Sequence, residues 1–149
     1  MGYLRVAKLK GLIGQIIIFL IGAIGYPCIE LIYRSGNTHW TMIILGGIAL
    51  LIIMNVNWFF NHLNIIIRAS IAALFVTLME LVAGLIINKW LQMKVWDYSH
   101  SLFNIEGQIC LKFSLYWYAL CFAVIIVVEL IYYVVRRIRK SRGNKVCKD

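Results

Sequence analysis

The sequence predicts an all-α polytopic membrane protein, a bundle of four transmembrane helices with an external segment between helices 3 and 4. Composition is the first observation: 62% of the 149 residues are hydrophobic and only 14% are charged, whereas a soluble domain is nearer half apolar and a quarter charged. Mean hydropathy, at +0.85, is the second. The third is spacing. Four apolar stretches, Leu12–Tyr33, Thr41–Phe60, Ile65–Asn88 and Ile109–Val135, are each long enough to cross about 30 Å of hydrocarbon as a helix. They organise residues 1–149 as a single integral membrane domain ending in a basic tail, 136–149.

The first stretch follows Arg5, Lys8 and Lys10. It is longer than the apolar region of a signal peptide and lacks a small-residue cleavage pattern, so it reads as a retained span. Gly11, Gly14, Gly22 and Gly25 form a groove in which helix backbones approach closely in lipid. Pro27 removes one helical hydrogen bond, which predicts a loosening near Gly22–Gly25 that re-aims Glu30. Glu30 and Arg34 are four residues apart, the spacing of a side-chain ion pair. Arg34–His39 then links to the second span. The turn Asn61-His62-Leu63-Asn64 is short enough to force spans two and three to lie adjacent and antiparallel.

In the third span, Ala73, Thr77, Glu80, Gly84 and Asn88 fall on one helical face. That face must point into the bundle or an oligomer interface, because a charge at mid-membrane costs about 2.5–3.5 kcal/mol. Glu80 has no partner on its own helix and needs a proton, a group from another span, or water. Lys89–Gln108 is too polar to cross and too aromatic to be a tether. Within it Trp96 and Tyr98 suit the headgroup level, and Asn104 is a candidate N-cap for the fourth helix. On the fourth span, Glu129 precedes Arg136 by seven residues and is expected to snorkel or to pair with the basic tail.

The net charge of +9 is concentrated at the ends: ten of the fifteen Lys and Arg residues precede the first span or follow the last. With four spans, the positive-inside rule places both termini in the cytoplasm. The tail reads as a topology signal and a contact for anionic membrane lipids, and a nucleic-acid partner is not expected. The four cysteines lack metal-ligand spacing. Cys28 and Cys110 lie near the same membrane face, where a disulfide and two packed thiols both stay open. No catalytic residue, metal ligand or cofactor is assigned.

With this topology, Glu30, Arg34, Asn88, Trp96, Asp97, His100, Asn104 and Gln108 belong to the outer half and Glu80 lies below them. Convergence from separate segments predicts an outward-facing polar pocket. Trp96–His100 is expected to fold over the external ends of spans one and three and bring Asp97 near Arg34.

The run Trp96-Asp97-Tyr98-Ser99, with Phe103-Asn104, Gly107-Gln108-Ile109-Cys110, Phe113-Ser114 and Trp117, resembles the signature of a bacterial family of small permease-like membrane proteins, the ABC-transporter type IV family. Glu30-Leu31-Ile32-Tyr33-Arg34 with Thr38-His39-Trp40 is similar to its first-loop pattern, and Glu80, Gly84 and Asn88 to its third-span pattern. The resemblance covers roughly Tyr26 to Trp117, and the tail after Val135 looks individual. It implies a bacterial cell-membrane location and a permease-like transport subunit of unknown substrate. No G-x-x-x-x-G-K-[ST] phosphate loop occurs in the chain, so a separate ATPase subunit is implied. Four spans make a narrow pore wall, so a homo- or hetero-oligomer is expected. The alternatives are an intramembrane hydrolase using Glu30, Glu80 and Asp97 as acids with His100 as base, a small drug exporter, or a non-catalytic membrane assembly factor.

Overall fold

The computed structural model describes residues 11–33 and 38–146. Four helices long and apolar enough to cross a membrane dominate it: α1 (Leu12–Tyr33), α2 (Trp40–Phe59), α3 (Ile65–Gly84) and α4 (Leu111–Val146). Together they form the expected all-α bundle. The helices pack in sequence order, α1 on α2, α2 on α3 and α3 on α4. The short turn between α2 and α3 makes those two antiparallel neighbours. It is closed by the Phe60 amide on the Val56 carbonyl and by the Asn64 side chain, which caps α3 by accepting from the Ile67 amide at 2.9 Å.

The centre is filled by Ala49, Ile53 and Val56 of α2, Ala69, Ala72, Ala73 and Val76 of α3, and Trp117, Cys121 and Ile125 of α4. Alanines dominate the α3 side because small side chains let backbones close up where lipid supplies no hydrophobic drive. The α1–α2 crossing uses glycine. A Cβ on Gly22 would lie 2.4 Å from the Gly46 carbonyl oxygen, and one on Gly46 only 2.4 Å from Tyr26 Cβ. Gly25, expected in the same groove, meets nothing within 4 Å, because it faces away from α2. Gln15 and Asn55 exchange a hydrogen bond lower in the same crossing. Helix α1 runs through Pro27 without interruption.

The third helix does not end as an α-helix. Leu85–Trp90 continues as a π-helical turn, with the Leu91 amide on the Ile86 carbonyl at 2.9 Å. Such insertions are uncommon and cluster at functional sites. Chain 91–110 then folds into a compact cap on the end of the bundle. A two-residue hairpin, β1 (Asn104–Ile105) with β2 (Ile109–Cys110), closes it. Asn104 therefore pairs with Cys110 in a ladder and does not cap the fourth helix, which starts at Leu111. The hairpin takes Ile109 and Cys110 out of the predicted span. At its other end α4 continues past Val135 to Val146. Its 36 residues would measure about 54 Å at 1.5 Å per residue, well beyond a 30 Å core, so the first part of the basic tail is a helical extension. Cys28 is exposed, Cys110 buried, and both are free thiols.

Candidate functional site

The cap is built by polar side chains that satisfy backbone groups. Asn88, carried on the π-turn, accepts from the Val95 amide at 2.7 Å and donates to the Trp96 carbonyl at 3.0 Å and to Gln108 Oε1 at 2.9 Å. Gln108 sits directly over Gly84, where a Cβ would come within 2.6 Å of its Oε1; glycine at 84 is what admits it. Asn104 donates to the Ser99 and Ser101 carbonyls and accepts from the Gly107 amide. Asp97 accepts from both the hydroxyl and the amide of Ser99, and these bonds hold its carboxyl below the usual range, with a smaller contribution from nearby His100. Gly107, at φ +68°, closes the turn against Asp97. Lys89 bonds Glu106 across the cap edge and lowers that carboxyl in the same way.

Trp96 ties the cap to the bundle. It is buried, donates its indole N–H to the Gln108 carbonyl at 3.0 Å, and packs with Met42 and Leu45 of α2. The indole finds its hydrogen-bond partner inside the protein, and its ring fills the end of the bundle. Tyr26 of α1 and Met79 and Ala83 of α3 pack against the same cluster.

Below the cap lies a cavity of about 410 Å³. Glu30 from α1 and Glu80 from α3 line it, with Tyr26, Trp96, Tyr98, Phe113, Tyr116 and Trp117. Glu80 is buried, accepts from the Trp117 indole N–H at 2.7 Å, and receives a longer bond from the Tyr98 hydroxyl at 3.5 Å. The partner missing from its own helix thus comes from α4 and from the cap. Glu30 is also buried and accepts from the Thr38 hydroxyl. Tyr26 stacks on Trp117 at 5.2 Å and Tyr98 on Phe113 at 4.4 Å, so ring pairs from three segments enclose the acids. Phe113 and Trp117 belong to the family signature, and Phe113, Tyr116, Trp117 and Leu120 recur at helical spacing, which puts them on one face of α4.

The residues expected to share one pocket divide. Glu30, Glu80 and Trp96 line the cavity. Asn88, Asp97, Asn104 and Gln108 line a second hollow on the cap, which also reaches Trp96. His100 is exposed and lines neither among the described residues. Arg34, and with it the expected approach to Asp97, lies outside the described residues; Asp97 is engaged by Ser99.

A second polar cluster sits at the opposite end. Arg68, buried near the start of α3, donates to Asn57 of α2 at 2.6 Å and to Glu129 of α4 at 2.7 Å. Glu129 therefore pairs across the bundle with Arg68, and with no tail cation among the described residues. Arg68 stands four residues into its span, and a cation at that depth demands an acid from another helix, which Glu129 supplies.

The comparison with known families completes the site. The family described as Putative ABC-transporter type IV matches residues 16–148. The chain belongs to this family. No curated protein and no solved structure matches it. The ABC-transporter type IV match takes in all four helices, the cap, both carboxylates of the cavity and the Arg68–Glu129 pair. It also runs on through most of the basic tail, which the sequence alone set apart as individual.

Proposed function

We propose that this chain is a permease-like subunit of an ABC-type transport assembly, in which the cavity under the cap receives the transported molecule from the outer face. The observation that carries the proposal is the cavity itself: about 410 Å³, at the size of a small-ligand site, holding two carboxylates from different helices under a hydrogen-bonded cap. Trp96 lines both the cavity and the hollow outside it, which makes it the partition on the access route. Both termini are cytoplasmic, where the helical extension of α4 meets anionic lipid and a separate ATPase subunit. The chain has no phosphate loop of its own. A dimer or larger assembly supplies the rest of the path.

Two measurements test this. Tyr116 lines the cavity and is half exposed. In a cysteine-free background, Tyr116→Cys should react with a membrane-impermeant maleimide in intact cells; reaction only after permeabilisation would overturn the outward-facing pocket. Purification in mild detergent should recover a nucleotide-binding subunit whose ATP hydrolysis depends on this chain. Full transport by the chain reconstituted alone would overturn the subunit assignment.

A further inference from the structure

We propose that the cavity binds a quaternary ammonium group, seated against Glu80 among the aromatic rings, an inference that rests on the cavity being a ligand site. Glu80 is the anchor. It is buried in a membrane-spanning helix, and among the described residues its donors are Trp117 and Tyr98, both neutral. Neutral donors orient a carboxylate without balancing its charge, and acids placed at this depth pair with a cation or serve a pathway for one. No Lys or Arg lines the cavity among the described residues.

The lining selects among cations. A hard metal ion takes six or more oxygen ligands, and no group of three His, Cys, Asp or Glu side chains stands close enough to hold a metal among the described residues. A primary ammonium has three N–H donors to satisfy, while most of the wall is carbon. A quaternary ammonium has no N–H to satisfy, and its charge is spread over methyl groups that suit the faces of Trp and Tyr. Tyr26 with Trp117 and Tyr98 with Phe113 supply those rings in stacked pairs. Two of the four rings, Trp117 and Tyr98, are the same ones that hold Glu80, so one set of side chains fixes both the anion and the aromatic wall. The group could arrive on a free solute or on a lipid headgroup, since the chemistry is shared.

The test uses the full chain in phosphatidylglycerol nanodiscs, with binding read by calorimetry and by the fluorescence of Trp96 and Trp117. Choline, its uncharged carbon isostere 3,3-dimethylbutan-1-ol, and benzenesulfonate are compared. Choline should bind at least about tenfold more tightly than the isostere, the scale of a desolvated cation–aromatic contact, and benzenesulfonate should not compete. Equal binding of choline and the isostere, or binding of the sulfonate, would overturn the ligand class while leaving a ligand pocket in place. Binding of none would also overturn it, and the labelling of Tyr116→Cys then reports separately whether the pocket is open. Glu80→Gln should lose the preference for choline over the isostere while retaining native helicity and a monodisperse profile; a retained preference would remove Glu80 from the site. Repeating the titration in phosphatidylcholine nanodiscs identifies the source: an apparent affinity lowered about tenfold assigns the site to a lipid headgroup, and an unchanged one to a free solute.

Discussion

Replacing Gly46 with alanine tests how the cavity wall is held. The new methyl carbon would stand 2.4 Å from Tyr26 Cβ and 2.6 Å from the Gly22 carbonyl oxygen, whereas ordinary contact begins at 3.4 Å. Helix α1 must therefore retreat by about 1.0 Å, the difference between 3.4 and 2.4 Å. Neither obstacle is the end of a flexible side chain, so neither can rotate away. Overpacking of this kind costs about 1–3 kcal/mol, against a gain of about 1 kcal/mol in helix propensity for replacing glycine by alanine. The steric cost wins, and the net loss is up to about 2 kcal/mol. Gly25→Ala on the outer side of α1 is the control, because nothing lies within 4 Å of its Cβ position; it should keep the propensity gain and be slightly stabilised. Reversible unfolding in bicelles by detergent titration would measure both. The retreat also withdraws Tyr26 from its 5.2 Å stack on Trp117, so Gly46→Ala should change Trp117 fluorescence and Gly25→Ala should not. If the two variants agree in stability within about 0.5 kcal/mol, the range of a neutral surface change, the close crossing does not set the position of Tyr26.

Three further outcomes are expected. Glu129→Ala leaves the buried Arg68 guanidinium with Asn57 as its remaining partner and should cost about 1–3 kcal/mol, while adding Arg68→Met should recover part of the loss; additive losses in the same unfolding assay would refute the pairing. The Asp97 pKa is lowered in the folded cap by the Ser99 hydroxyl and amide, so its stabilisation is present above the ordinary value of 3.8 and lost as pH falls through the lower folded value. Exchange of the Ser99 amide, corrected for intrinsic rate, should stay protected at neutral pH and accelerate only in that acid window; loss of protection near pH 6 would refute it. For topology, in a cysteine-free background, Leu102→Cys on the exposed cap should be labelled from outside intact cells and Ser141→Cys on the α4 extension should be protected; the reverse pattern would invert the membrane orientation.

Much of the bundle was legible because lipid is a demanding solvent. Backbone groups in hydrocarbon must be satisfied within a helix, so length and apolarity alone predict four helices, with the bounds of the first two right to within one residue. The cost of a membrane charge likewise predicted that Glu80 turns inward, which the Trp117 indole now explains. The short turn at Asn61–Asn64 gave the pairing of α2 with α3 for the same reason of reach.

The helices, the inward acid and the concentration of polar residues near one end are thus written into composition and spacing. How those polar residues are used depends on packing. Asn88, Asn104, Asp97 and Gln108 line a hollow on the cap and also hold the cap's own backbone: outside helices every amide and carbonyl must find a partner, and no spacing rule says which side chain will supply it. Trp96 and Tyr98 matched an aromatic belt, but a belt and a buried lid have the same composition and differ only in what lies beneath. The cavity wall joins α1, the cap and α4, and one of its ring pairs, Tyr26 on Trp117, links residues 91 positions apart. Ring contacts at that separation have no periodicity to announce them, so they exist only once the helices have packed.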